Sequence, residues 1–246
     1  GTKVVSVSGC VRRPGNYEVE LGVKTRDIIY GLAGGPLEGH EIKAFYPGGS
    51  SSPVLTPEGL DLPYSFEAMA EAGSMLGSGS IIVADDTVSI PHMALRTARF
   101  YHHESCGKCT PCREGTNWTV KMLERVVRGE ATPMDLDIIS SVQKNIMGHC
   151  LCVLGDSMAM PVSAMVNKFR PEFEEVIASA AISGFPTTDG REAQEDGEEP
   201  GPGGISPKVI ERQRLAGRPV ADGDEGSTSG RATQDPTGRA REVSEH

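Results

Sequence analysis

Residues 104–115 read Glu-Ser-Cys-Gly-Lys-Cys-Thr-Pro-Cys-Arg-Glu-Gly, and the stretch holds three cysteines in the spacing C-x2-C-x2-C. A second group, Cys150 and Cys152, follows after a long interval. Three closely spaced thiolates can bind three corners of a cubane cluster from one loop, so the fourth ligand must come from another element. That ligand ties its own element to the loop. The spacing therefore predicts a [4Fe-4S] cluster that joins two segments of the chain.

Zinc is the alternative metal for these thiols. A structural zinc site with four cysteines typically uses two C-x2–4-C pairs, whereas Cys150 and Cys152 form only C-x-C. The pattern favours iron–sulfur over zinc. Spacing alone does not distinguish Cys150 from Cys152 as the fourth ligand. Cys10 lies far away in sequence and is interpreted as a free thiol.

Helical periodicity surrounds the cysteines between residues 87 and 183. Apolar residues recur at helical spacing, Pro and Thr stand at helix starts, and Gly stands at helix ends. Short connections between these segments predict a four-helix bundle. The predicted helices are Val88–His103, Asn117–Arg128, Thr132–Gly148 and Ser157–Lys168, with a short continuation from Pro171.

Residues 1–86 combine strand-like stretches with turns and one helix. Val4–Gly9 and Tyr17–Leu21 alternate between apolar and polar residues, and the turn residues Arg13–Asn16 separate them. Thr25–Leu32 has helical spacing, and Ile81–Ala84 reads as a short buried closing strand. The expected fold class is α+β, with a small β-grasp domain over residues 1–86 and the helical bundle over residues 87–183.

Composition limits the remaining possibilities. The formal net charge is −10, which argues against a nucleic-acid surface because such a surface needs a clustered basic patch. No stretch approaches the roughly 20 apolar residues of a membrane span. Residues 184–246 are rich in Gly, Pro and acidic residues and hold few large apolar ones, so a disordered tail is predicted there.

Several motifs together resemble a known family. Residues 104–115, followed by Cys-Val-Leu-Gly-Asp at residues 152–156, closely resemble the NADH-binding flavoprotein subunit of respiratory complex I, which is the NADH-quinone oxidoreductase. Pro47–Ser51 and Phe169–Glu172 match further landmarks, and the likeness covers about residues 1–178. In that family a cysteine directly precedes the hydrophobic-Leu-Gly-acidic stretch. The resemblance therefore selects Cys152 as the fourth ligand, beside Cys106, Cys109 and Cys112.

The resemblance also implies a domain order and a function. It implies an SLBB-type β-grasp domain followed by a [4Fe-4S] bundle, and in the family an FMN- and NADH-binding domain precedes both. This chain resembles only the last two parts, so we do not expect it to oxidise NADH alone or to hold catalytic residues. The implied role is to pass electrons from FMN to the next iron–sulfur centre of an NADH:quinone oxidoreductase. Val153 and Leu154 are then expected near the flavin.

Partners and location follow from the same resemblance. The implied partners are other peripheral-arm subunits, especially a [2Fe-2S] thioredoxin-like subunit and the next iron–sulfur subunit, with no nucleic acid and no direct membrane insertion. The implied location is cytoplasmic, peripheral at the inner face of the bacterial inner membrane, or the matrix side in mitochondria. Two alternatives stay open: the same module in an NAD-linked hydrogenase or formate dehydrogenase, and a non-redox SLBB binding module stabilised by zinc.

Overall fold

The computed structural model of the protein describes the backbone of residues 1–182 and the side chains of residues 1–179. The predicted disordered tail, residues 184–246, lies outside the described residues. Within the described part, no helix combines the length and the apolar character that crossing a membrane requires.

A four-stranded mixed sheet forms the first part of the fold. Its spatial order is β2-β1-β4-β3, in which β1 and β4 are parallel and the other neighbours are antiparallel. A π-helical turn, Asp27–Leu32, and the short helix α1, Phe66–Glu71, contribute side chains to the core on one face of the sheet. The strands are β1 (Thr2–Gly9), β2 (Gly15–Glu20), β3 (Ile42–Tyr46) and β4 (Ser80–Asp85).

Half of this sheet is buried on both faces. Phe45 of β3 and Val83 of β4 lie in the core under the π-helical turn, whereas Tyr46 and Ala84 lie in the core of the helical bundle. Two-sided burial removes the alternation of apolar and polar residues that marks a half-buried strand. For this reason the sequence did not predict β3, although it predicted the three other strands.

Within residues 1–182, five helices follow the sheet, one more than the predicted bundle of four. The helix named α3 begins at Thr110 rather than at Asn117, because Pro111 suits its first turn and Cys109 serves as its N-cap residue. The predicted continuation at Pro171 is a helix of 13 residues. The helices are α2 (Ile90–Glu104), α3 (Thr110–Val127), α4 (Pro133–Ile146), α5 (Leu154–Lys168) and α6 (Arg170–Ile182).

The start of α4 agrees with the sequence pattern. Thr132 is its N-cap, Pro133 stands in the first turn, and Thr132 forms a reciprocal capping box with Asp135. The Asp135 carboxylate accepts hydrogen bonds from the Thr132 backbone N–H at 2.6 Å and from the Thr132 hydroxyl at 2.9 Å. Such a box satisfies backbone donors that a helix start leaves without partners.

The bundle packs on the sheet through apolar residues and a small set of polar contacts, which we call the sheet–bundle contact. The Tyr46 hydroxyl lies 3.0 Å from the Thr97 hydroxyl, and Lys168 Nζ donates to the Val54 carbonyl at 2.8 Å. Glu172 Oε1 accepts from the Ile90 N–H at 2.9 Å and from Lys43 Nζ at 3.4 Å. The polar contact therefore comprises Lys43, Tyr46, Val54, Ile90, Thr97, Lys168 and Glu172.

Candidate metal centre

Two loops meet at the end of the bundle that we call the thiol end. Residues 105–109 connect α2 to α3, and residues 147–153 connect α4 to α5. Cys106 and Cys109 lie in the first loop, Cys112 in the first turn of α3, and Cys152 in the second loop. The third cysteine of the motif is thus held by a helix, while the other three lie on loops.

The structure brings the four predicted cysteines together. Burial raises the pKa of Cys112, and the negative charges of Cys109, Cys152 and Cys106 raise it further, so the other three predicted ligands lie in the neighbourhood of Cys112. The two loops are also joined directly, because the Leu151 backbone N–H donates to the Cys109 sulfur and lowers the pKa of that thiol. Backbone donors aimed at sulfur are a normal part of an iron–sulfur site.

Cys150 also lies within this group of thiols, since its thiol is within hydrogen-bonding reach of the Cys109 sulfur. The Cys150 sulfur lies 3.6 Å from the Ile146 carbonyl oxygen and packs against Gly155, where an added Cβ would lie 2.6 Å from that sulfur. Burial is the main cause that raises the pKa of Cys150 to about 12, and the charges on neighbouring cysteines add to it. By contrast, Cys106 and Cys152 are exposed.

The spacing of the sulfurs bears on the kind of metal. Within the described side chains, no three of the cysteine sulfurs lie within 4.8 Å of one another. Four thiolates around one zinc ion, each at about 2.3 Å, would lie only about 3.8 Å apart. A cubane separates its thiolates more widely, because each binds its own iron corner. The donor set, three thiolates in C-x2-C-x2-C with a fourth from the second loop, fits an iron–sulfur cluster.

Two glycines allow the helices at the thiol end to approach closely. A Cβ on Gly115 of α3 would lie 2.6 Å from Cγ1 of Ile146, and a Cβ on Gly155 of α5 would lie 2.9 Å from Cγ2 of the same residue. Ile146 ends α4, so these glycines let three helices converge beside the cysteines. Sequence reasoning missed this role, because a glycine inside a helix gives no sign of what it faces.

The first loop is braced by side chains as well. Arg113 Nη1 donates to the Gly107 carbonyl at 2.9 Å, and Gly107 has a φ of +73° that favours glycine. The Ser105 hydroxyl lies 3.2 Å from the Cys112 sulfur. His102, in the last turn of α2, places Nδ1 3.0 Å from the Thr116 hydroxyl. Sequence reasoning missed Ser105, since a single serine carries no periodic signal.

Apolar side chains surround the thiol end. The side chain of Val153 is 74% exposed, and Leu154 packs partly against the bundle core. Trp118, Met147 and Leu151 are exposed large apolar residues on the same helices and loops. The expected proximity of Val153 and Leu154 to a flavin stays a prediction.

Among residues 1–179, one group of three potential metal donors has all its donor atoms within 4.8 Å of one another, namely His40, Asp85 and Asp86. These donors have protein partners. Asp86 accepts from His40 Nδ1 at 3.0 Å, and Asp85 accepts from the Thr87 hydroxyl at 2.6 Å. Cys10 lies beside Asp85 rather than at the thiol end, and burial raises its pKa. We assign no metal to this group.

Two family models match the chain. Residues 92–176 match the model described as the NADH-ubiquinone oxidoreductase-F iron-sulfur binding region, and residues 4–55 match the SLBB domain. The first match includes the four predicted cysteine ligands and both loops of the thiol end. The second match covers β1 to β3 of the sheet.

Curated relatives agree with these matches. The F 2 subunit of the NADH-quinone oxidoreductase of Rhizobium meliloti (strain 1021) is 47% identical over 174 residues, which are 70% of this chain and 41% of that protein. The F subunit of the NADH-quinone oxidoreductase of Mycobacterium bovis (strain ATCC BAA-935 / AF2122/97) is 44% identical over 173 residues, which are 70% of this chain and 39% of that protein. The chain thus spans about two fifths of the length of these relatives.

A solved structure shares the fold. An NAD+-reducing [NiFe]-hydrogenase in the air-oxidized state aligns with a TM-score of 0.64 and 33% identity, over 72% of this chain and 30% of that one. The mixed sheet followed by helices confirms the predicted fold class. The described part of this chain is therefore similar to the SLBB domain over residues 4–55 and to the NADH-ubiquinone oxidoreductase-F iron-sulfur binding region over residues 92–176.

Proposed function

We propose that the chain holds one [4Fe-4S] cluster through Cys106, Cys109, Cys112 and Cys152 and transfers electrons as part of an NADH:quinone oxidoreductase. The observation that supports this most is the meeting of the two loops at the thiol end. That meeting lies inside the region that matches an iron–sulfur binding family. When bound, such a cluster accepts and releases single electrons.

The surrounding residues set the conditions for that transfer. Cys112 is buried in the first turn of α3, which keeps one ligand away from water. The Leu151 N–H and the first turn of α3 provide donors and a positive helix end near negatively charged sulfurs. Their effect is to hold the thiolates in place and to stabilise added negative charge. No acid–base residue is needed for this role, so we assign none.

Cys152 is proposed as the fourth ligand instead of Cys150. The Cys150 sulfur already fills the space over Gly155 and donates to the Ile146 carbonyl. Cys152 is exposed and lies near enough to Cys112 for its charge to raise the pKa of that thiol, and it is the cysteine that the family resemblance selects.

The electron path and the partners form the finer part of the proposal. Electrons would reach the thiol end from FMN, with Val153 and Leu154 next to the flavin, and leave toward the next iron–sulfur centre in a partner subunit. The side chains of Leu151 and Val153 are apolar and exposed, which supports the proposal that another domain or subunit covers this end in the assembled complex. A [2Fe-2S] thioredoxin-like subunit and the next iron–sulfur subunit remain the proposed neighbours, at the cytoplasmic face of the membrane or the matrix side in mitochondria.

An NAD-linked hydrogenase module is the second candidate, because the hydrogenase named above shares the fold at 33% identity. The NADH-quinone oxidoreductase relatives are more similar, at 44–47% identity, and we prefer them for that reason. Affinity purification of the tagged chain from its native cells separates the two. Quinone-reductase subunits in the purified complex support the first candidate, and hydrogenase subunits support the second.

The metal content of the full chain tests the proposal. After anaerobic purification we expect about four irons and four acid-labile sulfides per chain, together with an EPR signal after reduction by dithionite. One zinc per chain, with no sulfide after reconstitution, would instead identify a structural zinc module and contradict the proposal.

A further inference from the structure

Ser105 joins helix α2 to the cysteine loop and contacts a predicted cluster ligand. It is the C-cap residue of α2, and its backbone N–H donates to the His102 carbonyl at 3.2 Å. Its hydroxyl oxygen lies 3.2 Å from the Cys112 sulfur, whose residue is only 5% exposed. Among the described side chains, it is the only one whose oxygen lies within hydrogen-bonding distance of one of the four predicted ligand sulfurs.

The direction of this hydrogen bond follows from the neighbours of the hydroxyl. The Gly107 backbone N–H donates to the Ser105 oxygen at 3.3 Å, so the oxygen already serves as an acceptor. A metal-bound Cys112 carries no proton and can only accept. The single hydroxyl proton of Ser105 therefore points at the Cys112 sulfur. The result is a chain of two donors, from the Gly107 N–H to the Ser105 O–H to sulfur, in which each bond polarises the next.

The surroundings keep this hydroxyl in place. Arg113 Nη1 holds the Gly107 carbonyl at 2.9 Å, and His102 Nδ1 lies 3.0 Å from the Thr116 hydroxyl, which connects α2 to α3. Ser105 is itself partly buried, and Cys112 is buried, so water has little access to the contact. A hydrogen bond shielded from water is electrostatically stronger than an exposed one.

We infer that Ser105 is a positioning residue that raises the reduction potential of the cluster by donating a hydrogen bond to the Cys112 sulfur. Reduction adds negative charge that spreads onto the sulfurs. An O–H aimed at one sulfur therefore stabilises the reduced cluster more than the oxidised cluster. The inference rests on the proposed function, because it needs Cys112 to be a ligand.

Four forms of the full chain test the inference: the wild type, Ser105→Ala, Ser105→Thr and Ser105→Val. Thr retains the hydroxyl, and Val has the same shape as Thr but lacks it. The measurement is an EPR-monitored redox titration of each loaded chain, together with its iron and sulfide content. We expect Ala and Val to lower the equilibrium constant for cluster reduction about three- to tenfold, the value of one hydrogen bond. The Ser105→Thr variant is expected to keep an equilibrium constant for cluster reduction close to that of the wild type.

The comparison of Thr with Val decides the inference even if the Ala variant loses its cluster. Equal potentials in these two variants would overturn it, since they differ only in the hydroxyl. A higher potential in Thr than in Val supports it. A matched control is Ser157→Ala. In the wild type, the Ser157 hydroxyl donates to the Val153 carbonyl at 2.8 Å and not to a ligand sulfur. The reduction potential of this control is expected to equal that of the wild type. Absence of iron and sulfide from the wild type would contradict the proposed function itself. This result is read from the wild type alone, so it is distinguishable from a failure of the inference about Ser105.

Discussion

The two sides of the helical bundle are held together by different means. On the side toward the sheet, α2, α5 and α6 are joined to β3 and its neighbours by buried apolar residues and by the sheet–bundle contact. At the thiol end, the loops expose Cys106, Cys152 and large apolar side chains, and few side chains connect them. The first side is closed by its own packing, whereas the second holds the proposed cluster ligands.

This difference indicates where the fold depends on a cofactor. A region with buried contacts and satisfied hydrogen bonds keeps its structure by itself, while a region with few apolar contacts opens locally at low cost. We therefore expect the cluster to stabilise the thiol end and to matter little for the sheet–bundle contact. Each side of the bundle should then respond to its own perturbations and leave the other side unchanged.

Cluster removal gives the largest expected effect. Chelation of the loaded chain should raise amide exchange in residues 105–109 and 147–153 by on the order of 1,000-fold, which corresponds to about 4 kcal/mol of ligand stabilisation. Amides of β4 and of the first turns of α2 should exchange as before. Hydrogen exchange followed by mass spectrometry measures both. Equal loss of protection in the sheet would show that the two sides are not separable.

The Gly155→Ala substitution should disrupt the thiol end next most strongly. The new Cβ would lie 2.6 Å from the Cys150 sulfur and 2.9 Å from Ile146, so α4 and α5 must move apart. We expect a loss of about 1–3 kcal/mol in the free energy of unfolding and a lower iron content. The matched control is Gly31→Ala, where nothing lies within 4 Å of the new Cβ. Urea unfolding should show the control unchanged or slightly more stable, and equal losses in both variants would contradict the packing role of Gly155.

On the other side of the bundle, Tyr46→Phe removes one buried hydroxyl from the sheet–bundle contact. Thr97 then loses a partner 3.0 Å away, and we expect a cost of about 1–2 kcal/mol. Iron content and the EPR signal should stay at wild-type values, because the contact lies outside the thiol end. Loss of iron in this variant, relative to the wild type, would show that the two sides of the bundle are not independent.

The smallest effect is expected at the start of α4. Hydrogen bonds from Thr132 and the nearby Arg125 lower the pKa of Asp135 below its usual value in the folded chain. A lowered folded-state pKa adds stability above the unfolded-state pKa, and this stability is lost as the pH falls through the folded-state pKa. Asp135→Asn should cost about 1 kcal/mol at pH 7. The difference between the two chains should begin to shrink below about pH 4, near the unfolded-state pKa, and vanish only below the lowered folded-state pKa of Asp135. Urea unfolding across pH measures it, and a constant difference would contradict the role of the charge.

The sequence predicted the cysteines of the thiol end, but it did not predict the residues that contact them. The C-x2-C-x2-C spacing by itself indicated a cubane, and the Thr132 cap was correctly placed. Spacing did not distinguish Cys150 from Cys152, because both lie in the second loop two residues apart, and the preference for Cys152 came from the family resemblance. Nor could it indicate Ser105, whose role depends on the distance from its hydroxyl to a buried sulfur seven residues away in the chain.

The same limit applies to the fold. The alternating strands β1 and β2 were predictable because one face of each is exposed. The strand β3 was not, because Phe45 and Tyr46 are buried in two different cores. The helical pattern also predicted a late start for α3, at Asn117, since Pro111 and the cysteines read as a loop until their place in the first helical turn is seen.

The most direct test compares the two cysteines of the second loop. We would measure iron, sulfide and the reduced EPR signal in the anaerobically purified full chain and in the variants Cys152→Ser and Cys150→Ser. The proposed ligand set predicts that Cys150→Ser keeps about four irons and the wild-type signal, whereas Cys152→Ser loses most of both. Retention of the cluster in Cys152→Ser together with its loss in Cys150→Ser would contradict the assignment and give the fourth corner to Cys150.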